Sequence, residues 1–185
     1  TITFRSPLAE LLRPKTIQNF FGQSHLLKEP EGSFFRIFSQ KKMVSSVFYG
    51  PPGCGKTTLA RMYVEKLDRP CETINATHAQ TSEIRRIVQR TYESPLLFRP
   101  TIVWIDEVHR LSRQQQDLFL QPIEDGSIIF IAATTENPSF ELTRALLSRV
   151  QVFTLQPLSL DELEKVLLRV EELHTKPFCT EDTKK

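Results

Sequence analysis

The sequence predicts an α/β fold, a three-layer αβα sandwich on a parallel sheet. Three observations predict it. The runs "SSVFY" (45–49), "TIVWID" (101–106) and "SIIFIAATT" (127–135) are apolar almost throughout, as strands buried on both faces are. Segments of helical periodicity alternate with them, as the crossover connections of a parallel sheet require. The first run also opens directly into Gly50-Pro51-Pro52-Gly53-Cys54-Gly55-Lys56-Thr57, which fills the pattern G-x-x-x-x-G-K-[ST] between a strand and a helix.

The elements follow in order. The strand 45–49 is closed by Gly-Pro-Pro-Gly, a turn-forming cluster. From Lys56 to Leu67 the residues Leu59, Ala60, Met62, Tyr63, Val64 and Leu67 recur at helical spacing. "CETIN" (71–75) reads as the next strand. The segment 81–92 is a helix with Ile84, Ile87 and Val88 on one face and Thr81 or Ser82 as its cap. After the strand 101–106, Ser112 and Gln115 form a capping box that opens a helix through Gln121, which Pro122 stops. The strand 127–135 and a last strand, "QVFTL" (151–155), complete the sheet. Ser159 with Glu162 caps a final helix whose stripe of Leu163, Val166, Leu167, Val170 and Leu173 faces a partner that the chain hardly includes. There is no internal repeat.

At 185 residues, one hydrophobic core is expected. With 39% apolar and 25% charged residues, the composition argues against disorder, and no apolar run nears the length of a membrane span. The start, "TITFRSPLAELLRP", has no signal-peptide core, so a cytoplasmic chain is expected. Cys54, Cys71 and Cys179 are odd in number and widely spaced, which fits reduced thiols. A net charge of +2 is too small to argue for nucleic acid. The chain does not start with methionine and ends in polar "HTKPFCTEDTKK", so a piece of a longer protein is expected.

The loop points to a phosphate. Its glycines let successive backbone N–H groups converge on phosphate oxygens at a helix N-terminus, and Lys56 reaches the β- and γ-phosphates of ATP. Thr57, with Thr58 beside it, offers a hydroxyl to Mg²⁺. Cys54 lies within the loop beside Lys56; it is either an activated thiol or a buried filler. Asp106 ends a strand expected next to the loop's strand, where it would hold the metal, and Glu107 would polarise the attacking water. Thr135, or Thr134, would sit between the metal and the γ-phosphate and orient that water. The bland alternative is a pair of hydroxyls closing a strand before an Asx turn at Asn137-Pro138. Arg149 is either a solvated charge or an arginine finger that stabilises phosphoryl charge. His25, His78, His109 and His174 lack metal-ligand spacing and are expected to be structural or solvent-facing.

Together "PLAELLRPKTIQNFFGQSHLL", "GPPGCGKTTLAR", "DEVHRLSRQQQD", "EDGSIIFIAATTENPSFELTRALLSRV" and "LQPLSLDEL" resemble the replication-associated recombination protein A family of AAA+ ATPases, relatives of clamp loaders. The resemblance runs from about Pro7 to Leu173. It implies an ATPase acting on DNA at stalled or gapped replication forks. By matched position it makes Lys56 and Thr57 the Walker A residues, Asp106 and Glu107 Walker B, Thr135 sensor 1, and Arg149 a finger offered to a neighbouring subunit. The segment Arg13 to Gln23 matches the stretch that lies against the adenine, which makes Gln23 a nucleotide-binding residue. It further implies a homo-oligomer, single-strand DNA-binding protein as a candidate partner, and DNA contacts through the helix start at Thr81 and Ser82 with Arg85, Arg86, Arg110 and Arg113. Residues 1–156 would form the core, 157–175 the beginning of a helical lid, and 176–185 a polar tail. Leu111-Ser112 and Val150 depart from the family's usual Phe-Asn and Cys without touching the phosphate chemistry. Three other readings stay open: an ATP-binding interaction module without turnover, a clamp-loader-type or Holliday-junction-type subunit, and a helicase, since Asp106-Glu107-Val108-His109 spells a DExH box. The helicase would need a second motor domain for which 185 residues leave no room.

Overall fold

The computed structural model describes residue 14 and residues 16–93 and 100–175, with side chains through residue 168 of the last helix. Expectations for Arg13, Cys179, the tail 176–185 and the side chains of Val170, Leu173 and His174 lie outside the described residues.

Strands β1 (Ser46–Tyr49), β2 (Cys71–Asn75), β3 (Thr101–Asp106), β4 (Ile128–Thr134) and β5 (Gln151–Thr154) form one five-stranded sheet in the order β2-β3-β4-β1-β5. Every neighbouring pair is parallel. This order corrects one expectation: the strand ending in Asp106 is not next to the loop's strand, because β4 lies between them. Local residues specify a strand and its burial, whereas lateral order depends on long-range packing, which hydrophobic patterning does not encode.

The described helices are α1 (Ser24–Leu27), α2 (Ser33–Ser39), α3 (Lys56–Leu67), α4 (Thr81–Glu93), α5 (Arg113–Asp117), α6 (Leu120–Glu124), α7 (Pro138–Glu141), α8 (Arg144–Leu147) and α9 (Leu160–Thr175). Alternation along the strands sorts the core into two faces. On one, Val47, Val103, Ile105, Phe130 and Ala132 pack with Ile84 and Ile87 of α4, with Phe119, and with Leu146 of α8. On the other, Phe34 of α2 meets Phe48 of β1, Tyr63 of α3 and Phe153 of β5, with ring centroids 5.4, 5.4 and 5.1 Å away. These rings approach edge-on, the geometry their quadrupoles favour. The Tyr63 hydroxyl is buried there; it donates to the Lys42 carbonyl at 2.6 Å and accepts from the Val44 N–H at 3.0 Å.

Two helix boundaries differ from expectation. Helix α4 already includes Thr81, and the Ile84 N–H reaches the Gln80 carbonyl at 3.1 Å, so neither Thr81 nor Ser82 is its cap. The capping box at Ser112 and Gln115 is present, but α5 ends at Asp117 and the chain turns helical again in α6, which contains Pro122. Pro122 is the third residue of α6, where an N–H has no partner inside the helix, so proline is tolerated there instead of stopping the helix.

Contacts divide the chain into two units. Gln23–Pro157 holds the sheet, and the segment ending at Gly22 groups with the one starting at Leu158. In the second unit α9 has its capping box: the Ser159 N–H donates to Glu162 Oε2 at 2.8 Å, and the Glu162 N–H to Ser159 Oγ at 3.3 Å. Leu160, Leu163, Leu167 and Leu168 of α9 are exposed. No described helix is long and apolar enough to cross a membrane.

Candidate active site

The loop after β1 needs glycine for two different reasons. A Cβ on Gly50 would lie 2.6 Å from the Leu155 carbonyl oxygen, so only a bare Cα fits beside that backbone. Gly55, the residue before α3, has φ 98°, the left-handed region that a side chain disfavours. Pro52 and Gly53 are exposed and Pro51 is half-buried, whereas the Cys54 side chain is buried, at 2% exposure. Lys56 is also buried, and its Nζ donates to the Pro51 carbonyl at 2.8 Å, so the ammonium is held inside the turn of its own loop. Thr57 and Thr58 follow in the first turn of α3, half-buried.

Gln23 braces this loop. Its amide pairs with the Gln156 backbone in both directions, Nε2 donating at 2.7 Å and Oε1 accepting at 2.9 Å, and Nε2 also approaches the Cys54 carbonyl at 3.4 Å. Gln23 is buried at φ 59°. Gln23 is expected near the base; its amide is hydrogen-bonded to the backbone.

Three strand ends meet beside the loop. Tyr49 of β1 lies opposite Thr134 of β4, and Ala132 of β4 opposite Ile105 of β3, so the loop, the threonines and Asp106-Glu107 emerge at one edge of the sheet. Two strand spacings, about 10 Å, separate the β1 and β3 axes, and Thr134 ends the strand between them. Glu107 leaves β3 at φ 55°, and its N–H donates to Asp106 Oδ1 at 3.2 Å. The Thr134 hydroxyl is buried; it accepts from the Glu136 N–H at 3.0 Å. Thr135 follows the strand, half-buried. The Asx arrangement is present as well, with Asn137 Oδ1 accepting from the Ser139 N–H at 3.0 Å ahead of Pro138.

Sequence reasoning missed two residues. His109 Nδ1 lies 3.2 Å from Glu107 Oε2 and 2.9 Å from Thr134 Oγ1, so this histidine belongs to the site. Metal-ligand spacing is the wrong test for it; its place two residues after a strand-end acid was the available signal. Gln116, buried among three successive glutamines, donates to the carbonyls of Leu111 and Glu141 and accepts from the Thr143 N–H, tying α5 to the loops around α7 and α8. No periodicity distinguishes it from Gln114.

Arg149 lies at the other edge of the sheet. The Gln151 N–H donates to the Ser45 carbonyl, so Arg149 precedes the amino end of β5 while the phosphate loop follows the carboxyl end of β1. About 13 Å of strand lies between those ends. Arg149 also lines a cavity of about 410 Å³ with Met43, Ser45 and Ile128. Arg85, Arg86, Arg110 and Arg113 are exposed, and Gln115 Nε2 donates to the Ala79 carbonyl at 2.8 Å, which ties the start of α5 to the segment entering α4.

Among the described residues no group of three or more His, Cys, Asp or Glu side chains can hold a metal. A divalent ion at this edge of the sheet would take most of its ligands from phosphate and water, as Mg²⁺ does. The tight loop with its buried ammonium fits a polyphosphate.

The chain resembles known proteins in sequence and fold. The family model described as "ATPase family associated with various cellular activities (AAA)" matches residues 46–158. Replication-associated recombination protein A of Haemophilus influenzae is 45% identical over 166 residues, covering 90% of this chain and 37% of that protein. The Escherichia coli K12 protein of the same name is 42% identical, covering 95% and 39%. "ATPase WRNIP1" of Dictyostelium discoideum is 39% identical, covering 91% and 19%. The chain thus spans less than two-fifths of the length of these relatives. Among solved structures, the Thermotoga maritima RuvB Holliday junction branch migration motor superposes with TM-score 0.70 at 26% identity, over 88% of this chain and 55% of that one. A point mutant of the same protein, at 24% identity and TM-score 0.72, shares the fold. The chain belongs to the AAA family of ATPases, within it to the group of the replication-associated recombination protein A proteins.

Proposed function

We propose that the chain binds ATP with Mg²⁺ and hydrolyses it as the motor core of an oligomeric protein that acts on DNA in replication-fork maintenance, recombination or repair. The observation that carries this reading is the convergence of the phosphate loop, Thr134-Thr135 and Asp106-Glu107 at one edge of the sheet. The loop residues Gly50 to Gly55 cradle phosphates, Lys56 neutralises the β- and γ-phosphates, and Thr57 with Asp106 holds Mg²⁺. Glu107 takes the proton of the attacking water, and Thr135 orients that water. Gln23 contributes by bracing the loop. Arg149, at the far edge of its own sheet, acts on a neighbouring copy's nucleotide. The exposed arginines near the joined starts of α4 and α5 meet DNA phosphates. The lid starts near Pro157, and single-strand DNA-binding protein is a candidate partner. Such a protein works in the cytoplasm at the nucleoid, or in a nucleus.

A motor of the Holliday-junction type is the second reading, favoured by the superposition on RuvB. An ATP-binding module without turnover is the third. The test is the ATPase rate of the full-length protein against its own concentration, with and without forked or four-way DNA. The proposal expects a rate per subunit that rises with concentration and is stimulated by forks. Preferential stimulation by four-way junctions favours the second reading, and no hydrolysis in any arm favours the third.

A further inference from the structure

Glu107 and Thr134 stand at the ends of neighbouring strands, and one ring nitrogen reaches both. His109 follows Glu107 by two residues in the short 3₁₀ turn Val108–Arg110, which places the imidazole beside the end of β4. The ring is 10% exposed and the Glu107 side chain 43%. Glu107 Oε2 lies 3.2 Å from Nδ1 as a close polar contact, and because a carboxylate oxygen only accepts, a hydrogen on Nδ1 is the arrangement compatible with it. The Thr134 hydroxyl has the Glu136 carbonyl at 3.3 Å as an acceptor for its own hydrogen, so its oxygen can receive the Nδ1–H at 2.9 Å. The Thr134 hydroxyl then donates to the Glu136 carbonyl and accepts from His109, with Glu107 Oε2 beside the same ring nitrogen.

Glu107 needs such an anchor. It sits in the left-handed region, which non-glycine residues keep only when their surroundings hold them. A half-exposed glutamate on a turn otherwise loses little by moving among rotamers in water. We propose that His109 is the positioning residue of Glu107: anchored to Thr134 through Nδ1, the imidazole holds Oε2 against the end of β4 and leaves Oε1 as the oxygen that accepts the proton of the attacking water. The ring itself touches neither nucleotide nor water in this role. The assignment rests on the reading of Glu107 as the base.

The geometry makes the test stereochemical. An asparagine amide nitrogen falls near the place of histidine Nδ1, whereas a glutamine amide nitrogen falls near that of Nε2. In the full-length protein, His109→Ala should lower kcat roughly 10- to 100-fold, the scale of a misplaced catalytic group. The Kd for an ATP analogue with a non-cleavable β–γ bridge should change less than about twofold. His109→Asn should recover to within about threefold of the parent, and His109→Gln should not. Unchanged kcat in His109→Ala, or a loss matched in Kd, overturns the assignment. So does a His109→Asn protein that performs no better than His109→Gln, a comparison between two amides that stays informative where alanine unfolds the turn. Glu107→Gln in parallel separates the two levels. Loss of turnover there with unaffected His109 variants overturns this assignment alone, whereas surviving turnover in Glu107→Gln overturns the reading of the site with it.

Discussion

Arg149 is tied to Glu124 of its own chain: Nε donates to Glu124 Oε1 at 2.8 Å and Nη2 reaches the same oxygen. The guanidinium also donates to Ser148 Oγ at 3.1 Å through Nη1. The pair sits beyond α6 and α8, at the edge of the sheet away from the phosphate loop. Its side chains are 28% and 53% exposed, so water screens the attraction.

An ion pair this exposed contributes about 1 kcal/mol or less. Glu124→Ala should therefore leave the midpoint of urea unfolding nearly unchanged. A loss above about 2 kcal/mol would show the pair to be a structural strut, and Arg149 would then have no freedom to serve another subunit.

The residues proposed for phosphate binding and for water activation follow different strands, and mutation should separate them. Lys56→Ala removes the buried ammonium from the loop and should abolish nucleotide binding. Glu107→Gln keeps the loop intact and should retain binding while hydrolysis falls by several orders of magnitude. Equal losses of ATP affinity in the two variants, measured by titration calorimetry, would remove Glu107 from its role.

Thiol reactivity should follow burial. Cys54 lies inside the phosphate loop with its side chain 2% exposed, whereas Cys71 on the edge strand β2 is exposed. A maleimide should therefore modify Cys71 before Cys54. Partial desolvation by its neighbours raises the Cys71 thiol pKa above its ordinary value, so its labelling should be slow at neutral pH and accelerate as pH rises. Peptide mapping that finds Cys54 modified first would mean that the loop opens readily.

Tyr63 links the helix after the phosphate loop to the segment before β1. Tyr63→Phe leaves the Lys42 carbonyl and the Val44 N–H without their partner and should cost about 1–3 kcal/mol by thermal or urea unfolding. Burial raises the phenol pKa above its unfolded value, near 10. Its contribution is therefore complete below pH 10 and is lost as pH rises through the folded value. The phenylalanine variant should lack this component of alkaline destabilisation.

The local elements were legible because patterning is local. β2, β3 and α3 run over the residues that the apolar runs and helical spacing indicate. The phosphate loop was legible for the same reason, since its glycines and Lys56 are contiguous. What the sequence hid depends on contacts between distant residues. The insertion of β4 between β1 and β3 puts Thr134 in the middle of the site, and no single segment states that order. His109 reveals its partner only once Thr134, 25 residues later, stands beside it. Gln23 meets Gln156 across a separation of 133 residues. Pro122 misled because a proline signals a helix end only when it lies past the first turn.

The position of Arg149 leads to the sharpest prediction. Within one chain it lies at the amino edge of the sheet and the phosphate loop at the carboxyl edge, so a finger role requires a second copy. Arg149→Ala should then leave ATP affinity nearly unchanged and lower hydrolysis in the assembled protein by about 10³-fold, a barrier increase of about 4 kcal/mol. Glu124→Ala should not share this loss, because it frees the guanidinium instead of removing it. Mixing separates action on a neighbour from action at home. Glu107→Gln subunits are inactive in their own sites but keep Arg149, and Arg149→Ala subunits keep Glu107. In a mixed ring, a site with its own Glu107 and a neighbour's Arg149 is complete, so combining two inactive preparations should restore activity, with a maximum at intermediate ratios. The measurement needs protein long enough to assemble, and co-assembly is checked by pulling down one tagged variant with the other. Mixed rings without recovery at any ratio would return Arg149 to the role its contacts show in the single chain, a surface partner of Glu124.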